Sequence, residues 1–120
     1  MELMQMIKGI TFAPFSRRGK LDTKAARASL RNLKKLTGAN LIILVPNGLQ
    51  EPPQSETIAR ETQANATDEE FLSIIEYAHS LGLSVALKPT VNCMNGTWRA
   101  HISFLDKDVP CEPKWSNWFA

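Results

Sequence analysis

Five side chains able to bind a ligand fall close together late in the chain: Lys88, Asn92, Trp98, Arg99 and His101, in the run "LKPTVNCMNGTWRAHISF". Lysine and arginine donate hydrogen bonds from a positive charge, asparagine both donates and accepts, and histidine can do either. Tryptophan adds a flat apolar face of the kind on which a sugar ring stacks. Each residue also has a plainer reading. Lys88 can reach solvent along its own stem, Asn92 can make a turn in "VNCMNG", Trp98 can anchor a core, and Arg99 and His101 can brace a loop. What sets the group apart is its concentration after one short apolar run.

Other chemistries find less support. The two cysteines, Cys93 and Cys111, lack the paired short spacing of a zinc site and are too few for a disulfide framework. A metal set can be drawn only by adding His101 between them, so the reading assigns no metal and no cofactor. The net charge of +2 comes from scattered Lys and Arg. Their densest group, "RNLKK" at Arg31 to Lys35, reads as the solvated face of a helix and not as a nucleic-acid patch. No apolar run approaches the ~20 residues of a membrane span. The start "MELMQMIKG" lacks the basic and apolar regions of a secretion signal, so a cytoplasmic protein is expected.

The elements that must position these residues follow one repeated order. "MIKGITFAPF" suits a first strand, with Ile7, Ile10 and Phe12 in a run ending at Pro14. After the loop "SRRGKL", Asp22 or Thr23 can cap a helix whose Ala26, Leu30, Leu33 and Leu36 recur at three- and four-residue spacing until Gly38. "ANLIILVPNG" is the second strand, and its consecutive apolar residues Leu41 to Val45 suit a parallel strand covered on both faces. Residues 46 to 66 read as a long polar connection. In "TDEE", Thr67 and Glu70 have capping-box spacing for a second helix with Phe71, Ile74, Ile75 and Ala78 as its apolar stripe and Gly82 as its stop. "LSVALK" is the third strand, followed by a loop of about 25 residues, longer than a compact fold normally needs.

Strand, helix, strand, helix, strand is an α/β order that begins either an open doubly wound sheet or a (β/α)₈ TIM barrel. "FAPFSRRG" after the first strand holds one glycine, which removes the main support for a dinucleotide-binding fold. Alternation favours the barrel. Ile10, Phe12, Val85 and Leu87 are expected to meet the helices, while Gly9, Thr11, Ala13, Ser84 and Ala86 look inward and Lys88 stands at the active rim.

"GITFAPFSRRG", "SLRNLKKLTGANLIILVPNGLQEPPQSETI" and above all "LKPTVNCMNGTWRAHISFLDKDVPCEPKWSNWF" resemble the N-terminal part of bacterial barrel glycosidases similar to glycoside hydrolase family 113, the β-1,4-mannanases, whose relatives are often described as xylanase-like. The resemblance runs from Gly9 to Phe119. It implies a retaining glycosidase acting on β-linked sugars with two glutamates, an acid/base after the fourth strand and a nucleophile at the end of the seventh. It makes Lys88, Asn92 and Trp98 candidates for subsites near the cleaved bond, with Arg99 and His101 bracing the loop.

A barrel of this kind needs about 250 residues. The 120 residues supply two complete units, a third strand with its long loop, and the start of a third helix at "KWSNWFA", so 1–120 reads as a partial barrel domain. Retaining hydrolysis needs two carboxyl groups roughly 5 to 5.5 Å apart. The strands end at Pro14-Phe15-Ser16, Pro46-Asn47 and Lys88-Pro89-Thr90, and none of these is acidic. Glu51, Glu56, Asp106, Asp108 and Glu112 lie further along loops. The catalytic glutamates are therefore expected beyond residue 120, and a chain ending there is expected to be inactive. The expected partner is an oligosaccharide, with no nucleic acid or membrane, and open strand edges are expected to promote self-association. The alternative is a non-catalytic sugar-binding or scaffold remnant of such a barrel.

Overall fold

A computed structural model describes residues 5–14 and 16–120. Residues 1–4, part of the segment in which a secretion signal is sought, and Phe15, expected from the sequence at the end of the first strand, lie outside the described residues. The elements in order are β1 (Gly9–Phe12), α1 (Lys24–Thr37), β2 (Leu41–Leu44), β3 (Asn47–Gln50), α2 (Asp68–Ser80), β4 (Ser84–Leu87), β5 (Thr90–Cys93), a 3₁₀ turn (Arg99–His101), β6 (Leu105–Asp106), β7 (Val109–Pro110) and α3 (Glu112–Phe119). The chain divides into two compact units, one of residues 1–46 with 63–89 and the other of 47–62 with 90–120.

The first unit is the strand-helix repeat. β1, β2 and β4 form one parallel sheet in that order, with Ile10 beside Ile42 and Ile42 beside Val85, then Phe12 beside Leu44 and Leu44 beside Leu87. α1 starts where the Thr23 side chain accepts the Ala26 N–H at 3.1 Å and stops at Gly38, whose left-handed φ of 67° lets its N–H reach back to Lys34 at 2.9 Å. Between the two candidates for that cap, the structure selects Thr23. Lys34 in turn donates from Nζ to the Leu81 carbonyl at the end of α2, where a cation complements the helix dipole.

Leu21, Leu30, Ile42, Leu44, Ile74, Ala78 and Leu83 form the core, and Phe12, Leu33, Phe71, Ile75 and Val85 pack against it. Truncating a residue as enclosed as Leu30 to alanine costs about 2–5 kcal/mol. Of the other expected members, Ile10 and Ala26 are half-buried outside this cluster, and Leu36 and Leu87 are exposed. Leu36 is exposed because two successive three-residue steps turn it about 120° from Leu30 on a helix of 3.6 residues per turn. Leu87 is exposed at the end of β4 although it shares a face with Val85. In the second strand Ile42 and Leu44 are buried against the core, while Leu41 and Ile43 on the other face are half-buried.

The second unit lies in the segments read as loops. β3 and β5 form a parallel pair, Asn47 beside Thr90 and Gln50 beside Cys93. Leu49 and Ala59 exchange two backbone hydrogen bonds, so the 46–66 connection folds back on β3 as an antiparallel bridge. β6 and β7 make a small hairpin. α3 follows, as "KWSNWFA" predicted, with Pro113 in its first turn, where the missing N–H is no loss. Among the described residues no helix is long and apolar enough to cross a membrane.

Candidate functional site

In the first unit, Lys88 directly follows β4. Its backbone N–H donates to the Leu44 carbonyl at 2.8 Å, which extends the ladder by one step, and its side chain is exposed. The four other sequence candidates belong to the second unit.

Gln50 is the base of that unit. Its side chain is buried, and burial of an amide is tolerable only when its donors and acceptor are paired. Nε2 donates to the carbonyls of Pro52 at 2.9 Å and Ser55 at 3.3 Å, and Oε1 accepts the indole N–H of Trp118 from α3 at 2.8 Å. Asn117 of the same helix donates to Glu56 at 2.9 Å. Trp115 meets the buried Phe104 edge to face, with ring centroids 4.8 Å apart. These contacts tie α3 to β3 and to the chain leading into the hairpin.

Side chains alternate along a strand, so Asn47 and Leu49 share one face of β3 while Gly48 and Gln50 take the other. The Asn47 face is polar. Asn47 Oδ1 accepts from the Thr90 hydroxyl at 3.2 Å and from Asn92 Nδ2 at 3.1 Å, and Asn92 Oδ1 accepts a longer bond from Arg99 at 3.4 Å. Gly48 is required on the opposite face, because a Cβ there would run into Cγ2 of Ile58.

Trp98 opens the 3₁₀ turn, and its carbonyl accepts the His101 N–H at 3.0 Å. The indole is 70% exposed, with His101 edge to face at a centroid distance of 6.2 Å. Within residues 16–120 Trp98 anchors no core. The structure brings Asn92 to Arg99 and Trp98 to His101. It adds Asn47 and Thr90, which the sequence reading passed over as turn and strand-end residues. A signal was available: Pro-Asn and Pro-Thr follow two strands that the repeat makes neighbours.

Of the loop carboxylates, Asp106 and Asp108 are exposed on the hairpin and its turn, and Glu112 is exposed in the first turn of α3. Among the described residues no three of His, Cys, Asp and Glu converge as a metal site.

The sequence profile of Glycoside Hydrolase Family 113 matches residues 10–120. Among solved structures, a family 113 β-1,4-mannanase superposes with a TM-score of 0.85 at 45% identity, over 97% of this chain and 38% of that one. A complex structure of a family 113 β-1,4-mannanase gives 0.84 at 42% identity, over 97% and 38%. The family 113 β-mannanase AaManA from Alicyclobacillus acidocaldarius, in complex with ManMIm, gives 0.78 at 40% identity, over 94% and 36%. No curated protein matches. The chain spans a little over a third of the length of these solved enzymes. With the parallel sheet, the flanking helices and a match from Ile10 to Ala120, this chain belongs to glycoside hydrolase family 113 and forms the N-terminal portion of its (β/α)₈ barrel.

Proposed function

We propose that these residues are the N-terminal segment of a retaining glycoside hydrolase acting on β-1,4-mannan-type oligosaccharides, and that Asn92, Trp98, Arg99 and His101 lie on its substrate side. The observation that carries the reading is the exposed indole of Trp98 in the same unit as the Asn92–Arg99 pair. A sugar offers an apolar ring face and a rim of hydroxyl groups. An exposed tryptophan answers the first, and amide and guanidinium groups answer the second. Lys88 is proposed separately as a cationic donor to a hydroxyl group. Residues 1–120 form one partial barrel domain in this proposal.

The reading puts the acid/base and the nucleophile in barrel strands beyond residue 120, since the residues that directly follow β1, β2 and β4 in sequence, Ala13-Pro14, Val45-Pro46 and Lys88-Pro89, are not acidic. The exposed edges of β1 and β4 favour pairing with further strands of the same barrel. In a polypeptide made as residues 1–120 alone, they favour self-association. A cytoplasmic enzyme of imported oligosaccharides completes the proposal.

The test compares hydrolysis of β-1,4-mannotriose and β-1,4-xylotriose by the protein as its source makes it and by residues 1–120 alone. Cleavage of mannotriose by the former only is expected. Sugar binding without cleavage by either would favour a non-catalytic remnant, and turnover by residues 1–120 alone would overturn the placement of the glutamates.

A further inference from the structure

We propose that Asn47 is a positioning residue that locks the Asn92 side chain into one of its two amide orientations, and so decides what hydrogen-bonding pattern a sugar must offer. The inference rests on the sugar-site reading above.

The two ends of a carboxamide are alike in shape and opposite in hydrogen bonding. An asparagine in a polar site therefore presents a defined pattern only if its neighbours forbid the flip. Asn92 has such neighbours on both sides. Asn47 Oδ1 faces Asn92 Nδ2 at 3.1 Å, and the donor-only guanidinium of Arg99 faces Asn92 Oδ1 at 3.4 Å. Turning the amide over would set oxygen against oxygen at Asn47 and N–H against N–H at Arg99.

The direction of this chain of bonds is set by the donor-only Arg99, and Asn47 completes it as the acceptor; the Thr90 hydroxyl, able to donate or accept, follows by donating to the same Oδ1 at 3.2 Å. The parallel register creates this convergence. Asn47 stands beside Thr90, and Asn92 is the next residue of β5 on that face. Two consequences follow for a ligand. Asn92 keeps its second Nδ2 hydrogen as a donor and the second lone pair of Oδ1 as an acceptor. Thr90, its hydrogen committed to Asn47, offers only lone pairs. A ligand with adjacent hydroxyl groups, each able to accept and donate, satisfies this pattern, whereas one lacking either hydroxyl leaves part of it unpaired.

The experiment uses the protein as its source makes it, with the Asn92 side-chain amide followed by ¹⁵N NMR and β-1,4-mannotriose binding followed by calorimetry. Asn47→Ala should abolish the hydrogen-bonded shift of the Asn92 amide and weaken mannotriose about tenfold, the effect of a polar contact made without its orienting bond. Asn47→Asp, which keeps the acceptor, should restore both, and this rescue separates positioning from general loss of structure. The double variant with Asn92→Ala should bind no more weakly than Asn92→Ala alone. An unchanged Asn92 amide signal in Asn47→Ala, or additive losses in the double variant, would overturn the inference. If Asn92→Ala binds mannotriose like the unaltered protein while the amide signal still depends on Asn47, it is the sugar-site reading that fails.

Discussion

Glu70 accepts the backbone N–H of Leu21 at 3.2 Å across 49 residues of sequence, while its other carboxylate oxygen accepts the N–H of Thr67 at 2.9 Å. The second bond belongs to the capping box that starts α2. The first makes the same side chain a clamp on the turn ahead of α1, so one buried carboxylate orders the entrances to both helices. Burial pushes its pKa up, and the backbone N–H groups of Thr67, Gly19, Leu21 and Asp22 together outweigh that, leaving Glu70 below its ordinary value.

A carboxyl group with a lowered folded pKa stabilises the fold fully above its unfolded-chain value of about 4.3 and loses that contribution as pH falls through the folded value. Glu70→Gln is expected to cost about 1.5–3 kcal/mol at pH 7. The difference from the unaltered protein should shrink as pH is lowered below that window. Urea midpoints of both proteins across that range check this, and a pH-independent difference would refute it.

Gly48→Ala should destabilise the second unit by about 1–3 kcal/mol, because the new methyl group overpacks a site already filled by a β-branched side chain, Ile58. In an Ile58→Ala background the same change should cost much less. Thermal unfolding of the four proteins in this cycle measures the coupling.

Trp118→Phe keeps most of the ring but leaves the buried Gln50 Oε1 without the donor it has at 2.8 Å. A loss of about 1–3 kcal/mol is expected. Hydrogen exchange of the α3 amides should rise with it if this bond holds the helix in place.

Trp98→Ala separates binding from folding. The exposed indole leaves little packing to lose, so stability should stay within about 0.5 kcal/mol, while affinity for β-1,4-mannotriose falls about tenfold or more. Calorimetric binding beside a urea titration reports both. Unchanged affinity would remove Trp98 from the proposed site.

Local pattern was enough for the elements of the first unit, though not for the exposure of Leu36 and Leu87 or the reach of Glu70 to Leu21. The stripe Phe71, Ile74, Ile75 and Ala78, the Thr67–Glu70 box, the stop at Gly38 and the parallel strands all arise from residues a few positions apart, whose spacing is readable along the chain. The family resemblance was likewise carried by contiguous runs, above all the segment from Leu87 to Phe119.

What the sequence by itself determined is therefore the repeat, its helix boundaries, the family, and the stretch in which polar and aromatic side chains gather. Tertiary structure alone decided that the apparent loops hold a second parallel pair, that Trp98 is exposed among these residues, and that Asn47 meets Asn92. The physical reason is separation. Asn47 and Thr90 are 43 residues apart, and Gln50 and Trp118 are 68 apart. A hydrogen bond between such partners leaves no period or cap in either segment, because each half is satisfied only when the chain has brought the other to it.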